Sequence, residues 1–276
     1  MSASADHVVP VSGVPCWVNL MVSDLRTAQA FYAAVLGWEF RTSSLGDRFL
    51  VASADGSPVA GIGERQPGLA PATVWTPYFA VRDADLTAAR IQERGATLAV
   101  GPVALGEGRA GLAADPDGAT FGFWEGPALA WSPGEGKAPA RLDLQTRDVF
   151  DAALFYAEVF EWPAEREIEV VYRRDHVEVD RGGQTVLSLH GGGVQTSAQA
   201  HLRPRWLVTF AVDDIERAAA AAIDAGGSKP SQAAFRTPQG FSRTLQDPDG
   251  GLFTLTHRGG DGPASATDAR MGESDS

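Results

Sequence analysis

The chain has 276 residues, of which 44% are hydrophobic and 21% charged, an ordinary soluble composition for one large or two medium domains. A net charge of -12 repels polyanions such as nucleic acid, and no apolar run approaches the length that spans a bilayer. The single Cys16 excludes an internal disulfide and any multi-cysteine metal site. With no basic stretch leading into an apolar core at the N-terminus, the expected setting is cytoplasmic.

Residues 1–12 read as a flexible N-terminus, and a first domain is expected over 13–126. It opens on a strand at Trp17–Val22, where Val18, Leu20 and Val22 alternate onto one face. Asp24 then caps a helix whose apolar stripe is Phe31, Val35 and Leu36. Three short strands follow near 38–43, 48–53 and 58–64. A second strand–helix unit starts at Trp75, its Ala-rich helix over 85–94 stops at Gly95, and the last hairpin carries an Asp-Pro-Asp-Gly turn at 115–118. The Gly, Pro and Ser content of 127–140 reads as a linker.

From Arg141 the pattern begins again, over a second domain at 141–258. SDLRTAQAFYAAVLGWEF from Ser23 matches RDVFDAALFYAEVFEWPA from Arg147, YFAV from Tyr78 matches TFAV from Thr209, and DPDG recurs at Asp247. The offsets are 124, 131 and 132 residues, the slow drift that small loop insertions produce. The expected fold is therefore α+β, two tandem copies, each of two βαβββ units forming a curved mixed sheet. Residues 259–276, rich in Gly, Ala, Ser and Asp, are expected to be disordered.

Strand parity separates two surfaces in each copy. In the first, Val18, Leu20, Val22, Phe79, Val81, Phe121 and Phe123 share the buried parity. Trp17, Asn19, Met21, Gly61, Gly63, Thr76, Tyr78, Gly122 and Trp124 share the other. Glycines among aromatics on that face predict room for a flat apolar ligand. In the second copy the corresponding face is polar: Arg141, Asp143, Gln145, Ser188, His190, Leu207, Thr209, Thr254 and Thr256. Curvature is expected to bring Arg141, Asp143 and His190 near one another.

SDL…AFYAAVLGW at 23–38, YFAV at 78–81 and DPDG at 115–118, with their counterparts in the second copy, resemble the vicinal oxygen chelate superfamily of glyoxalase I, bleomycin-resistance proteins and extradiol dioxygenases. The resemblance runs from about Val14 to His257. It implies a divalent metal held in the curved sheet by His, Glu or Gln from four strand positions per copy. Those positions fall on Trp17, Gly61, Thr76 and Gly122, and on Arg141, Ser188, Leu207 and Thr254. None is a His or a carboxylate, so no metal and no other cofactor is expected.

The remaining candidates carry two readings each. His190 is a general base or ligand donor, or a solvent-facing strand end. Arg141 with Asp143 binds a polar ligand group, or forms an ordinary ion pair on the sheet. Trp17, Tyr78 and Trp124 are stacking walls, or packing residues. Asn19, Thr76, Ser188, Thr209 and Thr254 supply polar contacts to the same ligand. His176 and His201 read as loop residues, Glu64 and Glu125 as solvated strand ends, and Trp75 and Trp206 as structural. The expected function is metal-independent binding of an aromatic or polycyclic small molecule, such as an antibiotic or other secondary metabolite, in sequestration. The alternatives are a cofactor-free tailoring isomerase, cyclase or lyase, and a metal-dependent glyoxalase or dioxygenase. Either a monomer or a homodimer is compatible with a tandem chain.

Overall fold

The computed structural model describes residues 7–8, 11–43, 45–65, 73–129, 131–193, 203–230, 234–237 and 240–258. The tail over 259–276 and His201 lie outside the described residues. In chain order the elements are β1 (His7–Val8), β2 (Pro15–Val22), α1 (Leu25–Leu36), β3 (Glu39–Ser43), β4 (Gly46–Ala54), β5 (Ser57–Glu64), β6 (Trp75–Ala80), α2 (Ala84–Glu93), β7 (Thr97–Leu105), β8 (Gly108–Ala114), β9 (Thr120–Glu125) and β10 (Ala128–Leu129). The second copy follows with β11 (Arg141–Gln145), α3 (Val149–Val159), β12 (Ile168–Tyr172), β13 (His176–Arg181), β14 (Gln184–His190), β15 (Arg205–Val212), α4 (Ile215–Asp224), β16 (Ala234–Thr237), β17 (Gly240–Gln246) and β18 (Leu252–His257).

Each copy forms one mixed eight-stranded sheet. The orders are β3-β4-β5-β2-β6-β9-β8-β7 and β12-β13-β14-β11-β15-β18-β17-β16, the same topology twice. The two central strands run antiparallel, and each pairs in parallel with a strand from its own βαβββ unit, as in β2 with β5 and β6 with β9. Local chemistry starts and stops the helices. Asp24 Oδ1 accepts from the N–H groups of Arg26 and Thr27, and Asp148 does the same for Phe150 and Asp151. Gly37 ends α1 in the left-handed conformation at φ +69°.

The two sheets turn their apolar faces toward each other and share one core. Phe79 of β6 stacks on Phe160 and packs against Trp206, while Phe210 of β15 meets Trp38 and Trp75. Two matching clasps close this interface. Tyr156 donates to Asp115 Oδ2 at 3.0 Å and receives the Trp206 indole N–H at 3.2 Å. Tyr32 donates to Asp247 Oδ2 at 2.8 Å and receives Trp75 at 3.2 Å. The last aspartate of each Asp-Pro-Asp-Gly turn also crosses over. Asp117 accepts from Thr146 Oγ1 and Arg147 N, and Asp249 from Ser23, Thr73 and Arg65. The motif legible as a turn is thus also the fastening between the copies, and Trp75 and Trp206 are structural donors within it.

Burial pushes the Asp115 carboxyl up to about 6 and raises Asp247 as well. A folded pKa above the unfolded value means that the native state holds the proton longer. The resulting stabilisation is full below about pH 4 and is lost as pH rises through about 6. Asp115→Asn is therefore expected to remove up to about 3 kcal/mol of pH dependence between pH 4 and 6. Urea midpoints at pH 5 and 7 check this; identical slopes in both proteins would refute it.

Candidate functional site

The apolar faces meet in the middle, so the two concave faces look outward on opposite sides. Trp17, Tyr78 and Trp124 therefore cannot touch one ligand together with Arg141, Asp143 and His190, and each face is a separate candidate.

On the first sheet the expectation of an open aromatic cleft needs correction. Trp17 Nε1 donates to Asn19 Oδ1 at 2.8 Å, Thr76 is buried with its hydroxyl on Val74 O, and Trp124 Nε1 donates to Pro127 O. A Cβ on Gly61 would lie 2.2 Å from Asn19 Oδ1 and 2.5 Å from the Phe49 ring, and one on Gly122 would lie 2.4 Å from the Tyr78 ring. The glycines make room for the sheet's own rings, not for a guest. The segment read as a linker covers the same face. Ala128 packs with Cys16, Ala80, Tyr78 and Trp124. Trp131 lies 6.1 Å from Trp17, centroid to centroid, and donates to Val59 O. β10 of that segment pairs with β1, so His7–Val8 in the region read as flexible forms a strand. Burial lifts the Cys16 thiol to about 12, which removes its nucleophilicity. Gly61→Val is expected to cost about 1–3 kcal/mol by overpacking this filled face, measured as a lowered urea midpoint; an unchanged midpoint would show that the face is open.

The second concave face is different. Asp143 on β11 lies 3.5 Å from Arg141 Nε through one oxygen and 3.5 Å from His190 Nε2 through the other. The expected grouping of these three is present. Register aligns Asp143 with Ser188 and Leu207, and Arg141 with Thr209, which in turn pairs with Thr254. Thr254 Oγ1 lies 3.1 Å from Thr244 Oγ1. Arg205 completes the edge, its charge destabilised by burial so that its pKa falls to about 10.

Sequence reasoning missed several members. His176 is the first residue of β13, not a loop residue, and stacks on His190 with centroids 5.2 Å apart. Hydrogen bonds to Asp175 and, less closely, Glu178 raise its pKa, while Arg173 holds Glu178 low. The alternation His176, Glu178, Asp180 against Val177, Val179 was the available signal. Glu125, read as solvated, accepts from Ala84 N at 2.8 Å at the start of α2; Glu64 pairs with Arg48.

Comparison with known proteins matches residues 6–123 to the "Glyoxalase/Bleomycin resistance protein/Dioxygenase superfamily" and residues 141–256 to a "Glyoxalase-like domain". "Anthracycline biosynthesis protein DnrV" of Streptomyces peucetius is 30% identical over 278 residues, covering 92% of this chain and 96% of its own. The chain belongs to this superfamily. Further relatives are "Anthracycline biosynthesis protein DauV" of Streptomyces sp. (strain C5), 29% identical over 93% of this chain and 98% of its own, and "Putative glyoxylase CFP32" of Mycobacterium bovis, 27% identical over 88% and 94%. Among solved structures, the Mn(II)-bound glyoxalase from Novosphingobium aromaticivorans aligns with TM-score 0.57 at 17% identity, covering 89% of this chain and 82% of that one, which speaks to the fold alone.

The superfamily's metal does not fit the residues present. The positions that the resemblance assigns to its ligands are Trp17, Gly61, Thr76 and Gly122 on one sheet, and Arg141, Ser188, Leu207 and Thr254 on the other. A guanidinium and neutral hydroxyls are poor donors for a first-row divalent ion. Among the described residues, no group of three or more His, Cys, Asp or Glu side chains is placed to hold one.

Proposed function

We propose that the protein binds an oxygenated polycyclic aromatic metabolite on the concave face of the second sheet, without a metal ion. The carrying observation is the contact of Asp143 with both Arg141 and His190 on a face lined with hydroxyls. Two relatives that span nearly the whole chain bear anthracycline biosynthesis names, and anthracyclines are flat fused rings edged with hydroxyl and carbonyl oxygens. Such a molecule matches mixed donors and acceptors over a partly apolar floor.

Calorimetric titration with an anthracycline aglycone is expected to show one site per chain, indifferent to chelator. Asp143→Ala should weaken it by about 10–100-fold, the worth of a hydrogen bond to a charged group. Mn(II), Ni(II) or Zn(II) should leave Tm unchanged. Stoichiometric metal in protein purified without chelator, or no binding at all, would overturn the proposal.

A second reading is favoured by the same contact. A half-exposed imidazole beside a carboxylate is the arrangement of a general base, which suits a cofactor-free isomerase, cyclase or lyase acting on the bound metabolite.

A further inference from the structure

Between α2 of the first copy and the end of α3 in the second lies a cleft of about 220 Å³ that shares no residue with either concave face. That is the liquid volume of about seven waters and below the roughly 300–1,000 Å³ of a drug-sized site, so its occupant is small. Asp83, Leu86 and Arg90, spaced three and four apart, turn one side of α2 to the cleft, and Phe160 and Glu161 close it from the second copy.

The duplication supplies an internal control. In the repeat, Thr87, Arg90 and Glu161 correspond to Ala218, Ala221 and Gly37 of the α4–α1 seam, and Arg82 corresponds to Asp213. The fold therefore closes a seam of this kind without the arginines and the glutamate. Glu161 gives the sharper contrast. It and Gly37 both follow a helix in the left-handed region, at φ +56° and +69°. Glycine adopts that conformation freely, whereas a residue with a Cβ is strained in it. The copy that carries the strain also carries a carboxylate at the cleft, 2.8 Å from Arg90 Nη1. A strained residue at a cleft points to a use for its side chain.

The charges select the occupant. Arg82 meets Glu165 at 2.5 Å and Arg90 meets Glu161 at 2.8 Å, each through a single nitrogen. A guanidinium has five N–H donors, so both keep donors for a further anionic group. Arg82 and Arg90 are balanced at the cleft by Asp83 and Glu161. A ligand of one net charge would upset that balance, while one carrying both signs gains from both. Val81 and Phe160 supply an apolar floor, and Leu86 is left 54% exposed, so an apolar body covering it gains its burial. We infer that the cleft is a second small-molecule site, for a zwitterionic α-amino acid with an aliphatic side chain. The carboxylate meets Arg82 and Arg90, the ammonium meets Glu161, and the side chain lies on Leu86, Val81 and Phe160. Its walls come from both copies, so occupancy holds the copies together at this seam.

The probe is L-leucine, with 4-methylpentanoate, which lacks the ammonium, and 3-methylbutylamine, which lacks the carboxylate, as controls. Calorimetric titration of the full chain should give one leucine per chain with a Kd of about 1 mM or below. Leucine at about ten times Kd should raise Tm by about 2–4 °C. Each control should bind at least about tenfold more weakly. The double variant Arg90→Ala/Glu161→Gly gives this seam the residues of the other one, which the fold already accommodates. Relief of the strain offsets loss of a partly exposed ion pair, so its Tm should stay within about 2 °C of wild type. Its leucine affinity should fall at least about tenfold. Arg82→Gln, at a side chain 64% exposed, does not depend on the packing of the seam, and should weaken leucine about tenfold with Tm unchanged. No leucine binding to the wild type, equal binding of either control, or undiminished binding by both variants would overturn the inference.

Discussion

Asp115→Ala should lower the free energy of unfolding by about 3 kcal/mol. One oxygen of this carboxylate accepts from the backbone N–H groups of Asp117 and Ala119, and the other from Tyr156 across the interface. Truncation strands two buried donors and one partly buried one, each costing up to about 1–3 kcal/mol, so the gross loss is several kcal/mol. Against it stands the cost of burying the carboxylate, which its raised pKa puts at about 3 kcal/mol at neutral pH after its hydrogen bonds are counted. The loss prevails because alanine leaves all three donors without an acceptor. Asp247→Ala should behave likewise, since Asp247 accepts from Asp249 N, Gly251 N and Tyr32. The two clasps share no partner, so the double variant should approach the sum of the single losses. Urea unfolding followed by tryptophan fluorescence measures all three, and a loss under about 1 kcal/mol for either single variant would refute the clasp.

On the acid–base reading, His190→Ala should lower turnover of the bound metabolite by about 10²–10⁴-fold while affinity changes only a few-fold. The imidazole is half exposed, so its packing contribution is small and its removal should spare the fold. Asp143 Oδ1 lies 3.5 Å from its Nε2, and His176 stacks on its ring. On this reading His176 acts through His190, so His176→Ala should move the pH profile of turnover more than the maximal rate. Product analysis over many turnovers separates the two functional readings. An unchanged ligand recovered from wild-type protein supports sequestration alone, and conversion that persists in His190→Ala would remove this histidine from the chemistry.

Much of this was legible in the sequence because it depends on local rules. The duplication, the Asp caps at 24 and 148, and the alternation that sends Leu142 and Leu144 inward and Arg141 and Asp143 outward all follow from peptide geometry over a few residues. The grouping of Arg141, Asp143 and His190 was also legible, since β11 and β14 are neighbours in a repeated topology. The filling of the first cup was not. It depends on Phe49, on a separate hairpin strand, leaning over Gly61, and on Trp131, beyond the first copy, reaching Trp17.

The Asp-Pro-Asp-Gly turns show where the boundary lies. By itself the sequence determined the turn, because Asp115 Oδ1 bonds to N–H groups two and four residues on. Only the tertiary structure decided the use of Oδ2, whose partner Tyr156 is 41 residues away in the other copy. Likewise, parity determined that the first copy's outward face would be aromatic and the second's polar. Only packing decided that the glycines of the aromatic face are filled by its own rings and that two hydroxyls of the polar face are buried without a partner. Side-chain identity sets what a face can bind. Which neighbours reach it first depends on contacts far apart in the chain, and those form only when the sheets close.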